Sequence, residues 1–149
     1  LSDNFYDTSA LVKYYIIEVG SAWVTNQVLT SSGNRTMMSN LALVEMISVF
    51  MRKEREGALT SSDRIKLQND FMIHTQKLYT VIRLTKAVFT NAQDLVVRHP
   101  LRTLDAIQLT SALQAKQLSQ NLTFISADLR LLAAAQAEGL QIDNPNNHP

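Results

Sequence analysis

The sequence predicts an α/β protein built on a central, mainly parallel sheet, and three observations predict it. Short apolar or β-branched runs ("NFY", "TMMS", "LYTVIRL", "NLTFIS" and "LQI") alternate with longer runs of helical periodicity. That alternation builds a parallel sheet covered by helices. Glycine and proline number only 4 and 3 in 149 residues, so regular elements are long and their connections short. Finally, acids stand where two strands end: Asp7 follows the first and Asp128 the fourth. Open parallel sheets bind their ligands beyond the carboxyl ends of their strands.

Taken in order, Phe5 and Tyr6 mark the first strand, ended by Asp7. "SALVKYYI" reads as a short helix, and Gly20 with Ser21 opens a second, "SAWVTNQVL". A loop from Ser31 to Asn34 leads to "TMMS". Asn40 is placed to cap the helix "LALVEMISVFMRKEREG", which Gly57 stops. The next helix, "TSSDRIKLQNDFMIHTQKL", has apolar residues at 65, 71, 72 and 78, and the two helices should form a hairpin. "KAVFTNAQDLVVRH" is helical up to Pro100. In "TLDAIQLTSALQAKQLS", Leu104, Ile107, Leu109, Ala112 and Leu113 are spaced for one broad apolar face. "ADLRLLAAAQAEG" is a helix ended by Gly139, followed by the strand "LQI". The expected organisation is one domain over residues 1–143 and a flexible tail, "NPNNHP", over 144–149.

Composition narrows the chemistry. The absence of cysteine excludes a disulfide scaffold, a thiol nucleophile and a cysteine zinc site. No apolar run reaches the roughly 18–20 residues of a membrane span, and no basic segment with an apolar core opens the chain, so the expected address is the cytoplasm. The three histidines lack ligand-like spacing: His74 lies in a polar helix, His99 precedes Pro100 and His148 is in the tail. Net charge is +1. Gathering four acids at one site would leave a mildly basic remainder.

Four acids carry the functional argument, and each has a plain structural reading beside it. Asp7, two residues before Ser9, is placed for a turn or a helix cap. Glu45 and Ser48 are the only polar residues between Leu41 and Met51 and share one helix face. A carboxylate in so apolar a helix calls for a cation, a salt bridge or solvent. Asp105 lies in a first helical turn, which favours acids, and Asp128 sits at a strand-to-helix junction, which invites a cap. Taken together, these oxygen donors suit Mg²⁺ or Mn²⁺. A carboxylate cluster around such ions is what phosphodiester hydrolysis requires.

The segments "YDTSALVKYYIIEVGS", "NLALVEMISVF", "LRTLDAIQLTSAL" and "TFISADLRLLAAAQAEGL" resemble, in order, the four acidic motifs of PIN-domain ribonucleases, especially VapC-like toxins of toxin–antitoxin pairs. The resemblance spans residues 6 to about 140. It implies a three-layer α/β/α sandwich with a helical hairpin beside the sheet, and a metal-dependent endoribonuclease. Carried over by position, Asp7, Glu45, Asp105 and Asp128 form the acidic site. Asp7 and Asp105 are the most direct ligands, while Glu45 and Asp128 complete or shape the cluster, through water among other routes. Ser9 and Ser126 match the small polar positions that support the site. The implied mechanism is in-line attack by a metal-activated water, leaving a 5′ phosphate and a 3′ hydroxyl. The implied partners are RNA, a cognate antitoxin and a second copy of the chain. Gln108 departs from the pattern, since many relatives carry His there.

Lys13, Arg98, Arg102 and Arg130 lie near the motifs in sequence and could meet RNA phosphates, or could be ordinary surface charge. "RKERE", Arg52 to Glu56, mixes signs like an exposed helix end. Tyr14, Tyr15 and Trp23 are expected in the core or at an interface. Two other classes compete. One is a PIN-like module that binds RNA or protein without cleaving. The other is a phospho-receiver-type acidic pocket, for which the first and fourth strand ends supply neither paired acids nor the late lysine.

Overall fold

The structure, a computed structural model, describes residues 2–29 and 32–149. The expected loop from Ser31 therefore begins outside the described residues. Five strands form one wholly parallel sheet: β1 (Asp3–Tyr6), β2 (Arg35–Ser39), β3 (Thr80–Ile82), β4 (Leu122–Ile125) and β5 (Gln141–Asp143), in the order β3-β2-β1-β4-β5. The connections are helical: α1 (Thr8–Tyr15), α2 (Ser21–Val28), α3 (Leu41–Arg55), α4 (Ser61–Lys77), α5 (Lys86–Arg98), α6 (Thr103–Lys116) and α7 (Leu129–Ala137).

Strand alternation divides the core in two. Phe5, Met37 and Phe124 face α5, α6 and α7, where they meet Leu95, Leu109 and Leu131. Their neighbours Tyr6, Met38 and Ile125 face α1 to α4, where they meet Leu11, Met46 and Phe71. Residues one apart on a strand point to opposite faces. A sheet buried on both sides therefore needs continuous apolar runs rather than alternating ones. The result is the expected α/β/α sandwich. Among the described residues no helix is long and apolar enough to cross a membrane.

Three local expectations differ in the structure. Asn40 makes no cap bond and is already helical; the hydroxyl of Ser39, one residue earlier, accepts from the Leu41 amide at 3.1 Å. In α4 only Phe71 of the four expected apolar positions is buried: α4 packs on α3 at the outside of its layer, and Ile65, Met72 and Leu78 are left exposed. α6 has no single apolar face: residues 106–112 are all buried, including Gln108, Thr110 and Ser111, while Leu104 is 48% exposed. It is wedged between α5, α7 and the sheet, so it is covered all round. Ser111 and Thr110 satisfy their hydroxyls on the helix's own carbonyls.

Residues 144–149 are docked rather than extended as a tail. Pro145–Asn147 form a 3₁₀ turn, His148 stacks on Trp23 with ring centres 4.3 Å apart, and its Nε2 lies 2.9 Å from Asp143. Gly20 makes this approach possible. Its φ is +85°, and a Cβ there would stand 2.3 Å from the Pro145 carbonyl oxygen.

Candidate active site

β1 and β4 lie side by side, and their connections leave in opposite directions across the sheet. This is the switch point of the fold, where a crevice opens beyond the strand ends. Asp7 and residues 126–128 follow these two strands, and the Asp7 amide extends the ladder by donating to the Ile125 carbonyl at 3.1 Å.

Asp7 is 5% exposed and closely held. Its Oδ1 accepts from the Ser9 hydroxyl at 2.7 Å and the Ala10 amide at 3.1 Å, and its Oδ2 accepts from the Ser126 hydroxyl at 2.9 Å. Each serine also accepts a backbone proton: Ser9 from Ala127 and Ser126 from Asp128, both at 3.0 Å. The two supporting serines thus tie the β1 and β4 ends together through Asp7. Burial pushes the Asp7 carboxyl up to about 7, against the pull of these donors, and the charge of nearby Glu45 adds to the rise.

Glu45 projects from α3 into the same crevice. Its Oε1 accepts from the Thr8 hydroxyl at 2.9 Å and from Gln108 Nε2 at 2.6 Å. Among the protein's own side chains, the partners of this carboxylate are an amide and a hydroxyl rather than an arginine. Asp105, in the first turn of α6, lies 3.2 Å from Arg102 Nε. Asp128 does cap α7, its Oδ1 accepting from the amides of Arg130 and Leu131, and its Oδ2 lies 3.8 Å from Arg102 Nη2.

All four acids line one cleft of about 440 Å³, with Thr8, Ser9 and Gln108. Among the described residues no three acidic or histidine side chains stand close enough together to hold a metal ion, so the acids share a cleft without forming a closed cluster. Even so, the donor set suits a hard divalent cation. It is all oxygen, and its most buried member carries a desolvation penalty that a cation would relieve.

The basic residues divide. Arg102 is 78% exposed at the cleft rim, and Arg130 lines an adjoining hollow with Asp105 and Asp128. Lys13 reaches the cleft but is only 6% exposed in its side chain and is paired with Glu18 at 3.1 Å. Arg98 does not belong to the site. It pairs with Glu138, beside His99, and borders a separate hollow between α5 and α6. Pro100 ends α5 between Arg98 and Arg102, so nearness in sequence is not nearness in space. Conversely, Thr8, Glu18, Arg52 and Lys53 line the cleft and were not picked out as site residues by the sequence. Helical spacing could have found Arg52 and Lys53, which stand two turns beyond Glu45 on α3.

The PIN domain family model matches residues 5–137. No curated protein sequence matches the chain. Several solved structures share the fold. PAE2754 from Pyrobaculum aerophilum is 15% identical, with a TM-score of 0.67, over 99% of this chain and 86% of that one. The sarcin–ricin loop cleaving toxin VapC20 of Mycobacterium tuberculosis is 16% identical, with a TM-score of 0.64, over 92% and 95%. VapBC2 from Rickettsia felis, bound to a DNA fragment from its promoter, is 11% identical, with a TM-score of 0.64, over 95% and 98%. These likenesses concern the fold; the family match covers most of the chain, from the β1 core residue Phe5 to the last residue of α7, and takes in all four cleft acids. The chain belongs to the PIN-domain family.

Proposed function

We propose that this protein is a Mg²⁺- or Mn²⁺-dependent endoribonuclease and the toxin of a toxin–antitoxin pair, acting by inhibiting translation. The observation that carries the reading is a buried, doubly serine-bound Asp7 at the switch point, facing Glu45, Asp105 and Asp128 across one cleft. The fold it shares with a toxin that cleaves the sarcin–ricin loop supports the same class of activity. Structures of related fold described as toxin–antitoxin or VapBC complexes support an antitoxin partner. The proposal includes a homodimer and a cytoplasmic site of action.

The metal would be held by Asp7 and Asp105 directly, with Glu45 and Asp128 completing its shell, including through water. Bound there, it supplies charge neutralisation at the phosphate and activation of the attacking water. The chain's own residues do the rest. Ser9 and Ser126 fix both oxygens of Asp7, so a donor is preorganised at the cleft floor. Arg52, Lys53, Arg102 and Arg130 stand around the cleft and the adjoining hollow, where they would meet the phosphates that flank the scissile one. The test is incubation with single-stranded and loop RNA in Mg²⁺, in Mn²⁺ and in a chelator. Cleavage confined to the metal arms and lost in Asp7→Asn is the expected result; metal-independent cleavage would sink the mechanism.

A PIN-like module that binds RNA without cleaving it is the second reading. One observation favours it: the acids are satisfied by protein donors and no three of them converge. Binding of RNA with no cleavage in either metal would select it.

A further inference from the structure

Gln108 lies on α6, three residues after Asp105 and therefore on the same side of the helix. It is 2% exposed and lines the floor of the acidic cleft. Its Nε2 is 2.6 Å from Glu45 Oε1 and 3.3 Å from the Thr8 hydroxyl, which itself donates to Glu45 Oε1 at 2.9 Å. Side chains from α1, α3 and α6 thus close a triangle around one carboxylate oxygen. The other end of the same amide is bare: among the described residues, Gln108 Oε1 is buried with no hydrogen-bond partner.

That asymmetry is informative. A buried acceptor without a partner is destabilising, because it has given up water and gained no bond in return. An apolar side chain of similar length, such as methionine, would fill the space without that cost. Packing therefore gives no reason for glutamine here. What glutamine adds is the N–H donation to Glu45. The amide orientation is also determined, because reversing it would set two acceptor oxygens 2.6 Å apart. The bond has a geometric consequence too. α6 belongs to the layer on one face of the sheet and α3 to the layer on the other. Gln108 thus links the helix that carries Asp105 to the helix that carries Glu45.

We propose that Gln108 is the positioning residue of the site: through its amide it fixes the Glu45 carboxylate toward the cleft and sets its placement relative to Asp105. The proposal rests on the metal-dependent reading of the cleft. Gln108 acts through Glu45 rather than on substrate.

The experiment is a double-mutant cycle on Mn²⁺ binding, read by calorimetry with melting temperatures measured alongside, on the parent, Gln108→Met, Glu45→Ala and the pair. Gln108→Met is expected to weaken Mn²⁺ binding about tenfold, as loss of an outer-shell partner does, with a melting temperature no lower than the parent's. In the Glu45→Ala background the same change is expected to have no further effect. Where Glu45→Ala binds too weakly to measure, the cycle is read from kcat, with KM for RNA unchanged by Gln108→Met. Parent-like Mn²⁺ binding by Gln108→Met would overturn the proposal. So would a loss that adds in full on top of Glu45→Ala, or a fall in melting temperature that accounts for it. A parent that binds no Mn²⁺ would instead sink the metal-dependent reading itself, and this inference with it.

Discussion

The two halves of the cleft are built differently. On the β1–β4 side, Asp7 is buried and both of its oxygens are bonded by side chains that are themselves bonded to backbone. On the α6–α7 side, Asp105 and Asp128 are half-buried and share one exposed arginine, Arg102. The first half is fixed by packing and by four hydrogen bonds at the two strand ends, two of which cross from one end to the other. In the second, Asp128 is held by its cap bonds to α7, but the two acids are linked only through Arg102, by ion pairs that solvent and salt weaken. The difference teaches a division of labour. The floor is preorganised to place a donor, at the expense of a carboxylate kept out of water. On the proposed reading, the rim exchanges one cation for another, and a metal ion would take Arg102's place between the two acids.

The contrast predicts its largest effect at the floor. Asp7→Asn keeps the shape and the hydrogen-bonding serines but removes the charge, so cleavage should fall by roughly 10³-fold or more, to background. Asp105→Asn should do the same, because on the proposed reading a direct ligand is lost on the other side. A single-turnover RNA assay decides both, and an Asp105→Asn protein as fast as the parent would break the four-acid site.

The next effect is one of pH. The Asp7 carboxyl titrates near 7 in the fold and near 3.8 when unfolded. Between those values the folded state holds a proton that the unfolded state has released. Stability from this group is therefore full below about pH 4, falls as pH rises toward 7, and is level above it. Urea melts of the metal-free protein from pH 5 to 8 should show this loss, and Asp7→Asn should not. Added Mn²⁺, which competes with the proton, should stabilise the parent more at pH 8 than at pH 5.5. Equal stabilisation at both would mean that Asp7 is not a ligand.

What the sequence made legible was the part governed by local pattern. Asp7 after a strand and Glu45 in an apolar helix could be placed because strand ends and helix faces follow from spacing alone. Asp128 could be read as a cap for the same reason, and it is one. What stayed hidden depends on tertiary packing. Arg98 is four residues from Arg102, yet the turn at Pro100 sends it to Glu138. Lys13 looks like a free cation in sequence but is buried against Glu18. Residues 144–149 read as polar and loose, but the hollow over Gly20, the face of Trp23 and the Asp143 carboxylate give them a seat. α6 misled in the other direction: its polar residues are buried because α5, α7 and the sheet surround it.

A smaller effect separates cap from charge at Asp128. Asp128→Ala removes the acceptor for two α7 amides and should lower stability by about 1 kcal/mol. Asp128→Ser and Asp128→Asn keep an acceptor and should recover most of it in thermal melts. All three lose the charge, so if Asp128 belongs to the metal shell all three should weaken Mn²⁺ binding alike. Wild-type affinity in Asp128→Asn would reduce Asp128 to a cap.

The smallest effect, and the most diagnostic of the rim, is at Arg102. An exposed pair of this kind is worth about 0.2–1 kcal/mol. Removing the guanidinium frees Asp105 and Asp128 from a competitor, so Arg102→Ala should bind Mn²⁺ about two- to fivefold more tightly at low salt. The same change deletes a cation from the path of the RNA, so RNA affinity should fall, and its salt dependence should flatten by about 0.7 in log–log slope. Opposite signs on the two ligands are the signature of an arginine that exchanges partners. If both affinities fell together, Arg102 would be holding the acids in place, and the rim would be as fixed as the floor.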